Sequence, residues 1–157
     1  MMKRILFLLL SLPLFLMGCN QGSSNLEEYN QSELKEKISE QLLQPKLPAK
    51  LPFELAESSF DAGPSGNEST KIIIDFYGEK NEHLGLVASS KVSLSSDLEK
   101  ESVDIGEIKG KYAENENGVK YLMWKEGKIN YTLQYFSQAS ETKIEKQELI
   151  DTAKSFE

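Results

Sequence analysis

The sequence predicts an α+β protein: an antiparallel β-sheet meander of about five to six strands, packed by a C-terminal helix, with an N-terminal amphipathic helix. Short runs of alternating apolar and polar residues, separated by turn residues, begin near residue 51. This pattern is typical of a sheet with one buried face. Apolar residues recur at helical spacing before these runs, over 31–44, and after them, near the C-terminus.

The first residues have the features of a secretory signal. Lys3 and Arg4 precede an apolar run over 5–16 that is too short to span a bilayer. The run ends in Leu16-Met17-Gly18-Cys19, which resembles the lipobox of bacterial lipoproteins. In that family the cysteine becomes the first mature residue and its sulfur carries diacylglycerol.

The lipobox resemblance implies a signal peptide over 1–18 and a lipidated Cys19 that anchors the protein on the outer side of the cytoplasmic membrane, because two acyl chains suffice for stable attachment. The alternative is an ordinary secreted protein with one free thiol. Location on an outer membrane also stays open, since the same motif would be present there.

The composition restricts the partners. The chain of 157 residues has 18 basic and 25 acidic residues, and cleavage after Gly18 would make its net charge more negative than −7. Nucleic-acid binding is excluded because phosphate contacts by Lys and Arg supply most of that affinity. With Cys19 lipidated, no thiol remains for a disulfide, so the core must stabilise the fold by itself.

The chain after the signal divides into three parts. Residues 19–30 are predicted to be the lipidated cysteine and a flexible tether, because 20–25 are small and polar. Residues 31–44 are predicted to be an amphipathic helix that ends at Pro45. Residues 51–157 are predicted to be the α+β domain. Whether the helix packs on this domain or forms a stalk stays open.

Strands are predicted at six places in the domain: over 53–60, 70–77, 83–91, 103–112, 119–124 and 129–135. Gly106 and Gly110 in the fourth run predict a bulge or a close backbone crossing. Gly127 predicts a tight turn between the last two strands, a hairpin with one core face and one wet face. Thr142 and Glu145 have capping-box spacing, which predicts a helix from there to about Phe156.

Four segments in this order carry a family resemblance: Leu51-Pro52-Phe53, then 105–112, then 122–131, then 148–156. Together they resemble the DUF4367-type domain of extracytoplasmic lipoproteins and of the outer parts of membrane regulators in Gram-positive bacteria. The resemblance covers 51–157. It implies an α+β domain outside the membrane and transfers no catalytic motif.

The titratable residues do not indicate an enzyme or a metal site. The chain has one histidine, His83, and no free cysteine after lipidation, and its acidic groups lack calcium-loop spacing. No metal and no cofactor are therefore expected, and His83 is predicted to be a solvated strand residue. Asp75 interrupts an Ile-rich strand and must be paired if that face is covered. A pair of convergent carboxylates, as in a glycosidase, stays as a third hypothesis.

Four aromatic residues of the final hairpin form the candidate binding surface: Tyr121, Trp124, Tyr131 and Tyr135. Aromatic residues in hairpins are usually core or cross-strand pairs, but an exposed Trp would bind a peptide, glycan or lipid. We expect a non-enzymatic, membrane-anchored lipoprotein that binds or modulates an envelope protein, peptide or lipid. The alternative is a carrier that holds a lipid or acyl chain in a cavity between sheet and helix.

Overall fold

Two helices and nine strands make up the part of the chain that the structure, a computed structural model, describes: residues 25–62, 71–91 and 98–157. The predicted signal peptide and Cys19 lie outside these residues. The helices are α1 (Ser32–Ser39) and α2 (Lys146–Lys154). The strands are β1 (Glu27–Glu28), β2 (Lys50–Leu51), β3 (Leu55–Asp61), β4 (Lys71–Gly78), β5 (His83–Ser89), β6 (Glu101–Ile105), β7 (Ile108–Glu114), β8 (Lys120–Glu126) and β9 (Ile129–Tyr135). Neither helix is long and apolar enough to cross a membrane.

Seven strands form one antiparallel sheet in the order β3-β4-β5-β9-β8-β7-β6, and β1 pairs with β2 separately. The predicted count of five to six is wrong because the run over 103–112 contains two strands. It reverses at Gly106, whose φ of +61° suits a glycine turn. The sheet is also not one meander: two meanders, β3–β5 and β6–β9, meet where β5 pairs with β9.

One face of the large sheet is buried, and alternation along the strands supplies its side chains. The fully buried residues of this face include Ile74, Phe76, Leu86, Leu122 and Leu133. Both helices and the segment between α1 and β3 contribute to the same apolar core. The coarse prediction of an antiparallel sheet with a C-terminal helix is therefore confirmed.

The N-terminal segment belongs to this body. Leu34 and Ile38 of α1 are buried in the same apolar core as the side chains of the sheet. Residues 25–30 of the predicted tether include β1, and the Tyr29 ring contacts Phe76 edge-on at 5.6 Å. The helix ends at Ser39, before the predicted 44, because the chain must turn back to bury Leu47 against the sheet.

The start of α2 differs from its prediction. The capping box is formed by Glu145 and Glu148, one turn later than the pair Thr142 and Glu145. The Thr142 hydroxyl instead donates to the Glu82 carboxylate at 2.5 Å, which joins this segment to the β4–β5 turn. The buried Lys120 ammonium donates to the Ile144 carbonyl at 2.5 Å and so holds the beginning of the helix on β8.

Candidate functional site

The open face of the sheet is the side opposite the one that the helices cover. Strand pairing aligns a row of its side chains over all seven strands: Asp61, Ile73, Val87, Thr132, Met123, Lys111 and Ser102. Ile73, Val87 and Met123 are only partly buried. An apolar band with polar ends, interrupted at the buried Thr132, therefore crosses the open face.

The four predicted aromatic residues do not share a surface. Trp124, Tyr131 and Tyr135 lie on the buried face with 5%, 2% and 0% of their surface exposed. The Trp124 and Tyr131 rings stack with centroids 5.1 Å apart, and Phe156 packs edge-on against both. These three residues are core, which corrects the expectation of an aromatic surface. Tyr121 lies on the open face and is partly buried.

At one end of the open face three rings are stacked. His83 lies between Tyr77 and Phe136, with centroid distances of 4.6 and 4.4 Å. Its Nε2 is 2.8 Å from Asp75 Oδ1. Gly85, opposite Asp75, leaves the room this contact needs, since a Cβ there would lie 3.3 Å from Asp75 Oδ1. We call these residues the histidine stack.

Within the described residues, the hydrogen bonds of the histidine stack are not those of a Ser-His-Asp triad. The Ser59 hydroxyl donates to Asp75 at 3.4 Å, whereas a catalytic serine must donate to the imidazole. Asp75 faces outward, and it lies on an interior strand with His83 as its partner. The pair could not be predicted from the sequence because it depends on the β4–β5 register. A turn near 79–82 was the signal in the sequence that could have indicated it, because a hairpin there places Asp75 and His83 on neighbouring strands.

At the opposite end of the open face, a groove of about 350 Å³ runs over β7, β8 and β9. Met123 and Thr132 are among the residues that line it, and the other lining residues include Lys109, Lys111 and Lys125. We call it the lysine groove. The groove could not be predicted from the sequence because its lysines come from two strands that only the sheet brings together.

The lysine groove is electrostatically different from the rest of this acidic chain. Its lining includes no carboxylate, whereas each of three other pockets in the described part of the chain is lined by at least two glutamates. Lys109 pairs with the exposed Asp104. Within the described residues, Lys111 and Lys125 have no acidic partner at ion-pair distance.

A pocket of about 250 Å³ at the β4–β5 turn is acidic and is lined by Asn25, Glu54, Glu79 and Glu82, among others. Burial alone would raise the pKa of Glu82, but hydrogen bonds from the Thr142 hydroxyl and the Lys80 amide outweigh it and hold the pKa below its ordinary value. Among the described residues, no three His, Cys, Asp or Glu side chains converge to hold a metal ion.

The comparisons with known proteins identify a family. A family model described as "Domain of unknown function (DUF4367)" matches residues 66–156, more than half of the chain. The match contains the three later segments of the predicted resemblance and begins after Leu51-Pro52-Phe53. Comparison with curated proteins gave no significant match, and comparison with solved structures gave none.

Proposed function

The chain belongs to the DUF4367 family, and from this premise we propose that it is a lipoprotein, anchored through Cys19 on the outer side of the cytoplasmic membrane, that binds another envelope component. The proposed activity is binding without catalysis. The observation that carries the proposal is the open face, where an apolar band runs from Ile73 to Met123 and into the lysine groove.

The composition of the open face supports binding. A purely solvated sheet face would carry polar side chains, yet Ile73, Val87 and Met123 lie in one row there. Partly exposed apolar side chains that are rimmed by charged residues lose unfavourable contact with water when a partner covers them. The rim would then give the interaction its specificity.

The packing of the buried face favours binding over the carrier alternative. A carrier needs a cavity between the sheet and its covering segments that is wide enough for an acyl chain. Leu47, Leu51, Ile144 and Leu149 occupy this layer, and each has at most 1% of its surface exposed. Extraction of purified protein, followed by mass spectrometry, tests the alternative directly, since a stoichiometric lipid would replace the binding proposal with the carrier.

Two measurements in cells test the proposed function. The full chain should fractionate with membranes and Cys19→Ala should not, and the mature N-terminal peptide should carry the mass of a diacylglycerol. A photo-crosslinking amino acid at Val87, on the open face, should form an adduct with an envelope component. The same amino acid at the exposed Gln147 of α2 is the matched control. Equal adducts from both positions, or none from Val87, would remove the open face as the binding site.

A further inference from the structure

The lysine groove combines positive charge with an apolar floor. Lys109 and Lys111 lie on β7, and the antiparallel register that pairs Gly110 with Trp124 puts Lys125 beside Lys109. Met123 lies opposite Lys111 and contributes a thioether to the lining. Because no carboxylate lines the groove, the ammonium groups of Lys111 and Lys125 have charge that a ligand can neutralise.

The spacing of these groups matches an extended peptide. Lys125 is two residues from Met123, the cross-strand partner of Lys111, and such diagonal neighbours are roughly 7–8 Å apart. Acidic side chains two residues apart on an extended peptide have a similar separation, roughly 6.7 Å. Met123 lies beside Lys111, and its flexible side chain can contact the methylene groups of the peptide's acidic side chains.

The lysine groove lies at the end of the sheet away from the point where the chain enters. Asn25 lies in the pocket at the β4–β5 turn, so the chain enters at that end. The six residues from Cys19 to Asn25 reach roughly 20 Å at most, which holds this end near the membrane. The lysine groove lies at the other end of the strands, roughly six residues or 20 Å further away.

We propose that the lysine groove binds an acidic, extended peptide segment of an envelope protein, one with acidic side chains at every second position. This inference rests on the proposed function, because it names the class of ligand for the open face. Lys111 and Lys125 neutralise carboxylates of the peptide, and Met123 contacts the methylene groups of the same side chains.

The test uses the full mature lipoprotein in nanodiscs of phosphatidylcholine. The probe is a fluorescein-labelled, end-blocked peptide of alternating glutamate and leucine, and binding is followed by fluorescence anisotropy at low salt. The same peptide with lysine for glutamate is the charge control. The double variant Lys111→Gln/Lys125→Gln is compared with Lys143→Gln/Lys154→Gln, which removes the same charge elsewhere, from two surface ion pairs.

We expect the acidic peptide to bind and the basic one not to bind. Loss of Lys111 and Lys125 should weaken binding about five-fold or more, whereas the control variant should stay within about two-fold of the wild type. Binding should also weaken with added salt. Absence of binding, or an equal loss in both variants, would overturn the proposal.

Two further experiments distinguish the acidic peptide from other anionic ligands. In the first, inorganic polyphosphate competes with the peptide; in the second, the protein is offered nanodiscs of phosphatidylglycerol. Displacement of the peptide by polyphosphate at higher affinity would assign the groove to phosphate groups and overturn the peptide proposal. Attachment to these nanodiscs that requires Lys111 and Lys125 would do the same. The proposed function is judged separately by the Cys19 anchor and the Val87 adduct. If these persist while the peptide fails to bind, only the ligand assignment is wrong.

Discussion

Two tyrosines with buried hydroxyl groups allow a stringent test of how the covering segments are held on the sheet. The Tyr29 hydroxyl is buried and has no hydrogen-bond partner within the described residues, and burial raises its pKa. The Tyr135 hydroxyl, by contrast, lies 2.6 Å from both Ser140 Oγ and the Thr142 carbonyl oxygen. Replacement of each tyrosine by phenylalanine removes the same atom from two different environments.

The expected magnitudes follow from the partners. A buried polar group without a partner costs about 1–3 kcal/mol of folding free energy, and a satisfied hydrogen bond contributes about 0.5–1.5 kcal/mol. Tyr29→Phe should therefore leave the free energy of unfolding unchanged or raise it by about 1 kcal/mol. Tyr135→Phe should lower it by about 0.5–1.5 kcal/mol, because it removes a satisfied hydrogen bond while the Ser140 hydroxyl still donates to the Thr142 carbonyl.

The measurement is urea unfolding of the mature chain with Cys19 replaced by serine. Trp124 is the only tryptophan and is buried, so its fluorescence reports loss of the core. Equal slopes of free energy against urea would show that the unfolded states are comparable. A loss of more than about 1 kcal/mol in Tyr29→Phe would refute the reasoning, since the hydroxyl would then have a stabilising partner.

Three further predictions concern stability. Because the pKa of Glu82 is lowered in the folded state, its ionised form stabilises the protein above the ordinary glutamate pKa, and this contribution disappears as pH falls through the lower, folded value. Thermal unfolding of Glu82→Gln at neutral pH and near pH 3 should therefore show a lower Tm at neutral pH and a weaker pH dependence; an unchanged profile would contradict this. Lys120→Met should lower the free energy of unfolding in urea by about 1–3 kcal/mol because the Ile144 carbonyl loses its donor, while the exposed control Lys128→Met should change little. Gly106→Ala should lower the free energy of unfolding by about 1 kcal/mol in the same assay, because a side chain disfavours the φ of +61° at this position. An added Cβ would have no neighbour within 4 Å, so the cost comes from the backbone alone, and a neutral result would mean that the turn relaxes.

Much of the final hairpin could be predicted from the sequence. Alternation with a period of two places Tyr121 and Trp124 on opposite faces whatever surrounds them, and Gly127 supplies the positive φ of the turn. The same local rules identified α2 and the family segments over 105–131. They failed at Gly106, because a glycine within a run is compatible with both a bulge and a reversal.

The sequence by itself determined the class of fold, the alternation of the strands and an α2 region with an apolar side, because these depend on residues close together in the chain. Only the tertiary structure decided which face of the hairpin is covered, so that Trp124 is core and Met123 lines a groove. It also decided the Asp75–His83 contact and the grouping of Lys111 with Lys125. Both features depend on strand register and strand order. Register and order are set by burial over the whole sheet, which residues close together in the chain do not determine.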